Sequence, residues 1–297
     1  SSDPLDIAET NIKDAFERLN EIEVIEDDTI IYADTGQDPN YLAVFDNLDA
    51  ITAALETVRE QGDPDTTRFK RIDLGATLVE QKLLTYCVVD SDEGYTASYT
   101  AAIRFVQLKG AIGVVDKLFK DIELATESAH RSFDAIEKLE TLDIEPPAYY
   151  AVDRIAAESA VFAEFEEYMT PWLNGLKAWP NALLWGSDGV RRVNSAYEST
   201  DTAIESYTKA IEYATAAQNS FKKRDGEPPL YREPISHATC RLSDLLDTYR
   251  TVKRSLEHRR NGDAQTAGQL LVEAHGLADY YREGCNPGNA ALVPPMD

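Results

Sequence analysis

The sequence predicts an all-α protein. Apolar residues recur at three- and four-residue steps through most of the chain, and the alternating strand–helix spacing of a parallel sheet is absent. The one extended piece, Thr29-Ile30-Ile31-Tyr32, stands alone, where a sheet needs a second strand. The expected architecture is an antiparallel helical bundle or an irregular stack of helical hairpins, with about seven to nine helices.

Asp3 is placed to cap a first helix with Pro4 at its first position. Leu5, Ala8, Ile12, Ala15, Phe16, Leu19 and Ile22 then share one face. Residues 26–40, rich in Asp with Gly36 and Pro39, form a break. A second helix is expected from Tyr41 to Glu60, ended by Gly62-Asp63-Pro64, and a third from Thr66 to Val89, ended by Asp90-Ser91-Asp92-Glu93-Gly94. A long helical region follows from Thr96 to Thr141, with Gly110 and Gly113 as points of weakness.

Pro146-Pro147 punctuates the middle of the chain. It divides an N-terminal helical subdomain (1–145) from a C-terminal helical-hairpin subdomain (146–285), with a loosely ordered tail at 286–297. Beyond it a helix is expected over 148–169, then a non-helical aromatic segment over 168–185. Gly186-Ser187-Asp188-Gly189 reads as a turn whose Ser187 or Asp188 caps a helix over 190–223. Pro228-Pro229 and Pro234 precede two final helices, 235–259 and 263–282, joined by the turn Asn261-Gly262.

Charge narrows the function classes. In 297 residues, 53 Asp and Glu stand against 29 Lys and Arg, for a net charge of −24. Nucleic-acid binding needs cations to replace phosphate counterions, and docking on an anionic membrane needs a basic patch, so both are excluded as general activities. No run of apolar residues is long enough to span a bilayer. The acidic residues are dispersed and lysine is scarce, 12 against 17 Arg. At low ionic strength such a surface repels itself; in molar salt, where the Debye length is about 3 Å, the repulsion largely disappears. The composition is that expected of a halophilic archaeon, with salt ions at the acidic surface.

The chain opens Ser1-Ser2-Asp3-Pro4 without methionine, which fits removal of a leader segment. Of the three cysteines, Cys87 lies in an apolar run and reads as a buried thiol. Cys240 and Cys285 lie at similar distances either side of the Asn261-Gly262 turn, so an antiparallel hairpin brings both to its open end. A Cys240–Cys285 disulfide is expected there, and with it an oxidising compartment. The tryptophans Trp172, Trp179 and Trp185, set among Pro171 and Pro180, are the binding candidates, because aromatic residues anchor interfaces. The competing reading has them supply core area at the end of the bundle.

Two segments of the last third resemble the second helix of a tetratricopeptide repeat. One runs from Asp201 to Ala210 with Ala203, Tyr207 and Ala210 at the characteristic steps; the other is Gly262-Asp263 followed by Ala267, Leu271 and Ala274. Arg191 and Ser255 depart from the pattern, since the family places small residues there. The resemblance implies stacked helical hairpins with a concave surface for peptides or partner proteins.

Catalytic patterns are sparse. Glu127 and His130 have the Glu-x-x-His spacing of di-iron bundles, but no second copy exists. His237, His258 and His275 form no zinc pair, and Asp90–Gly94 lacks the glycine and glutamate of a calcium loop, having Tyr95 and Ala101 in their places. No catalytic residue, metal or cofactor is therefore expected. The reading is a non-enzymatic, extracytoplasmic binding or structural protein with a protein or cell-surface partner. An intracellular, cytoplasmic tetratricopeptide-like adaptor is the alternative, and a carboxylate-lined helical enzyme the third.

Overall fold

The first helix, α1 (Pro4–Asn20), begins as its sequence dictates: Asp3 accepts a hydrogen bond from the Leu5 N–H at 3.1 Å, with proline in the first turn. Its stripe of Ala8, Ile12, Ala15, Phe16 and Leu19 is buried. The computed structural model describes residues 3–21, 25–26, 29–30, 41–62, 64–89, 107–222, 235–279 and 290–296. For 25–26, 29–30, 41–42, 86–89, 165, 168 and 235–237 it describes the backbone only. The protein is all-α, with nine helices among the described residues. The extended piece expected to stand alone pairs, over two residues, with the chain just before it: Ile25–Glu26 and Thr29–Ile30 are antiparallel, Ile25 opposite Ile30.

The chain divides into two compact units, Ser1–Asp92 with Lys120–Glu167, and Glu93–Phe119 with Tyr168–Asp297. Pro146-Pro147, read from the sequence as a boundary, falls inside the first unit.

In the first unit α1 packs on α2 (Tyr41–Gln61) and α3 (Thr67–Val89). Its core runs from Ile12, Phe16 and Ile51 through Ile72 and Val79 to Leu139 and Tyr150. Arg68 clamps α1 to α3, reaching Asp3 at 3.0 Å, Glu9 at 2.7 Å and Asp6, while Arg71 reaches Glu9 at 2.8 Å. The Arg68 hydrogen bond outweighs partial burial and, with Arg71, holds the Glu9 carboxyl below the usual carboxylate range.

Helix α4 (Leu108–Thr141) carries Gly110 and Gly113 in its first two turns, with open space around each. It ends in a Schellman motif: the Ile144 N–H donates to the Leu139 carbonyl and the Asp143 N–H to that of Glu140, with Asp143 at φ 51°. Ile144 thereby folds back on Leu139, and both are buried. A 3₁₀ turn (Ala148–Tyr150) leads through Ala151, at φ 47°, into α5 (Val152–Ala163).

The second unit departs most from expectation. Residues 168–185 are helical: α6 (Phe165–Val193) runs through Pro171 and Pro180 without interruption. Interior proline removes a hydrogen bond and costs about 3 kcal/mol. Against that, Met169, Trp172, Leu173, Leu176, Trp179, Ala182 and Leu183, at three- and four-residue steps, are all buried. Burying even two such aromatic and aliphatic side chains outweighs one proline. Gly186–Gly189 is consequently the last part of a helix, not a turn, and neither Ser187 nor Asp188 is an N-cap. The next helix, α7 (Thr200–Lys222), is capped by Ser199, whose hydroxyl accepts from the Thr202 N–H at 3.3 Å.

Two tyrosines fill the space that α6 glycines leave. A Cβ on Gly186 would collide with the Tyr249 hydroxyl, and one on Gly189 with the Tyr207 ring. Tyr249 donates to the Ala182 carbonyl at 2.9 Å. Tyr207 donates to the Leu292 carbonyl at 2.7 Å. Burial pushes both phenols well above the ordinary tyrosine range, so they remain protonated donors.

The hairpin of α8 (Ile235–Arg260) and α9 (Ala264–Asp279) turns where the sequence placed it. Gly262 takes φ 83°, its N–H donates to the Arg259 carbonyl, and the Asp263 N–H donates to that of His258. Asp263 also caps α9 through the Thr266 N–H at 3.1 Å and meets His258 Nδ1 at 3.1 Å. The tail, expected to be loosely ordered, contains an anchored segment. Leu292 and Val293 are buried, Leu292 is held by Tyr207, and the Pro294 carbonyl lies 2.8 Å from His275 Nε2.

Candidate functional site

A groove of about 510 Å³ lies in the first unit where α4 ends and α5 begins. The Schellman turn supplies its floor of Leu139 and Ile144, with Ile136 and Val152 beside them. Pro146 and Pro147 form a stiff wall without backbone N–H groups. Glu140 and Asp153 stand exposed at the rim. The volume lies within the range of small-ligand and peptide-anchor pockets, about 300–1,000 Å³.

Arg154 also lines this groove, and its side chain is 32% exposed. Its Nε donates to Glu158 at 3.1 Å, and its Nη1 donates to the Asn20 carbonyl at 2.7 Å. Behind it Glu158 accepts from Lys82 at 3.3 Å, with both side chains nearly inaccessible, 5% and 3% exposed. Burial lowers the Lys82 pKa despite the neighbouring carboxylate, and Arg154 adds to the depression. Glu158 thus neutralises part of a cluster of two cations, and this triad ties α3 to α5. Sequence reasoning did not identify it, because Lys82 and Glu158 lie 76 positions apart and share no motif.

The three tryptophans do not converge on one exposed surface. Trp172 and Trp179 are buried, 1% and 3% exposed, and both pack on Phe221 at centroid separations of 4.6 and 6.4 Å. Their burial follows from the helical stripe of α6. Trp185 is half-buried, with the Lys209 ammonium 4.3 Å above its ring centre. Trp172 and Trp179 therefore supply core area, and Trp185 alone of the three is partly exposed.

Cys240 is disulfide-bonded. The side chain of Cys87 and all of Cys285 lie outside the described residues, as do Asp90–Gly94 and the His237 side chain. His130 is exposed, while Glu127 pairs with Arg131 at 3.4 Å. Among the described residues no three His, Cys, Asp or Glu side chains are grouped as metal ligands. Asp188 is a junction: it accepts from Ser206 at 2.7 Å, Arg191 at 2.7 Å and Arg192 at 2.6 Å. Burial pushes its carboxyl up, but these bonds together leave it below the usual range. No described helix is long and apolar enough to cross a membrane.

The fold and these sites define a two-unit, all-α protein with a preformed groove and charged groups engaged in structural bonds. Comparison with protein families, with curated proteins and with solved structures finds no match for the chain.

Proposed function

We propose that this is a non-enzymatic binding or structural protein of a halophilic archaeon, exported to the cell surface. The observation that carries the reading is the disulfide state of Cys240, which stands near the open end of the α8–α9 hairpin. Stable disulfides belong to oxidising compartments, and Cys285 is the partner that the antiparallel geometry favours. The net charge of −24 supports the halophilic part, since such a surface needs concentrated salt to screen its own repulsion. The groove supports the binding part: an apolar floor behind a polar rim suits recognition.

The test is a thiol count by intact mass on protein alkylated during lysis of native cells, before and after reduction. One reactive thiol before reduction and three after, with peptide mapping to Cys240–Cys285, is the expected result. Three reactive thiols before reduction overturn the exported reading and put the intracellular tetratricopeptide-like adaptor in its place.

A further inference from the structure

Residues 290–296 are held on the second unit by their backbone carbonyls. Tyr207 on α7 donates its hydroxyl to the Leu292 carbonyl at 2.7 Å. The Pro294 carbonyl, 2.8 Å from His275 Nε2 on α9, can only accept, so that ring nitrogen carries the proton. The Val293 N–H is used within the segment, donating to the Ala290 carbonyl at 3.2 Å, and Pro294 and Pro295 have none. Leu292, Val293 and Pro294 are buried, while Ala290, Ala291, Pro295 and Met296 on either side are exposed. A short buried core, gripped through main-chain acceptors between exposed flanks, is how a docked peptide is held.

The helices fix the donor that makes this grip. Tyr207 is wedged between Gly189 of α6, where a Cβ would strike its ring, and Tyr249 of α8, whose ring lies edge-on at 5.8 Å. Its hydroxyl is buried and needs an acceptor, because an unpaired one would carry the full cost of lost hydration. The segment is equally prepared: each proline fixes its own φ and restricts the residue before it, so Val293, Pro294 and Pro295 lose little freedom on docking. From this arrangement we infer that the face presenting Tyr207 and His275 is a peptide-recognition site, that residues 290–296 occupy it as an internal ligand, and that its outside ligand is a partner-protein segment of the same make, two adjacent aliphatic residues followed by proline. The inference goes beyond the reading above, concerns the second unit alone, and holds whether or not the protein is exported. A segment joined to its seat by the ten residues 280–289 acts at high effective concentration. The identical segment of a second copy would make the same contacts without that advantage, whereas a partner that adds contacts of its own can displace it.

A fluorescein-labelled peptide copying residues 290–296 would be titrated with the full chain and followed by anisotropy, in about 2 M KCl so that diffuse charge is screened. Leu292→Asn with Val293→Asn unseats the internal segment without altering the seat or the net charge. That unseated chain is expected to bind the peptide saturably, and the unmodified chain about tenfold more weakly or less, because its seat is taken. Adding Tyr207→Phe to the unseated chain should weaken binding by about tenfold, since the Leu292 carbonyl of the peptide loses its donor. Circular dichroism melts show whether each variant is folded, and Leu292→Ala with Val293→Ala is the milder unseating. If both unseated chains lose the helical fold, the segment is core and the inference is overturned. A folded unseated chain that does not bind overturns it, as does binding equal to that of the unmodified chain or indifferent to Tyr207→Phe. An unmodified chain that elutes as a dimer, and as a monomer once unseated, would give the seat to a second copy and overturn the partner. None of these outcomes alters the thiol count on which the exported reading depends.

Discussion

The first unit encloses a lysine and a glutamate, Lys82 against Glu158 at 3.3 Å, whereas the second encloses two tyrosine hydroxyls, each donating to a backbone carbonyl. The two solutions differ in what they ask of the surrounding packing. Buried charges lose hydration that their mutual attraction repays only when every partner is present. A buried hydroxyl needs one acceptor, and the rest of the tyrosine ring contributes apolar area. The first unit should therefore be fragile toward loss of a single charge, and the second toward loss of shape.

The sharpest test is Glu158→Ala. It leaves Lys82 buried beside Arg154 without a counter-charge, and a loss of about 3–5 kcal/mol is expected in denaturant titrations of the full chain. The double variant Lys82→Met with Glu158→Leu should recover most of it; no recovery would mean that the pair is not what fails. Next is a glycine comparison in the second unit. Gly186→Ala drives a methyl into Tyr249 and should cost about 1–3 kcal/mol, read as a lower Tm. Gly268→Ala on α9, with nothing near its added methyl, should instead gain about 0.5–1 kcal/mol from helix propensity. Equal effects at both positions would remove the shape argument.

A gain is expected in the first unit from Ala151→Gly. Ala151 holds φ 47°, where a Cβ is strained, so glycine should stabilise by up to about 1 kcal/mol in the same titration. The smallest effect concerns acid. Glu9 and Asp188 are held below the ordinary carboxylate range, so the stability they contribute is complete above their unfolded pKa and is lost as pH falls through the folded one. Arg68→Gln should move the acid-unfolding midpoint, followed by circular dichroism, to slightly higher pH. Pairs this exposed are worth about 1 kcal/mol or less, so the shift is small.

Local rules made part of this molecule legible in advance. Asp3 and Pro4 announce α1. Of the seven residues expected to share its face, Ala8, Ile12, Ala15, Phe16 and Leu19 are buried, Leu5 is partly buried and Ile22 lies outside the described residues. Asn261-Gly262 marks the hairpin turn with only glycine's φ to explain. The aromatic segment was misread because Pro171 and Pro180 carried more weight than the periodicity of Met169, Trp172, Leu176, Trp179 and Leu183, which was present to be counted. For the groove, the sequence offered Pro146-Pro147 as punctuation but no sign of the turn at Asp143 that positions Ile144 beneath it. The Lys82–Glu158 pair is of a third kind, since only the completed fold brings α3 to α5.

The turn at Asp263 bears on the order in which the chain acquires its structure. That aspartate ends one helix through its N–H to His258 and starts the next through Thr266, so nine consecutive residues, 258–266, specify the whole reversal. Closing so short a loop sacrifices little chain entropy, and contacts between α8 and α9 then propagate from it. The first unit is completed by contacts such as Arg154 to the Asn20 carbonyl, across 134 positions, which must wait until α5 has been made and has returned. Folding is accordingly expected to begin near the end of the chain and to finish at its start.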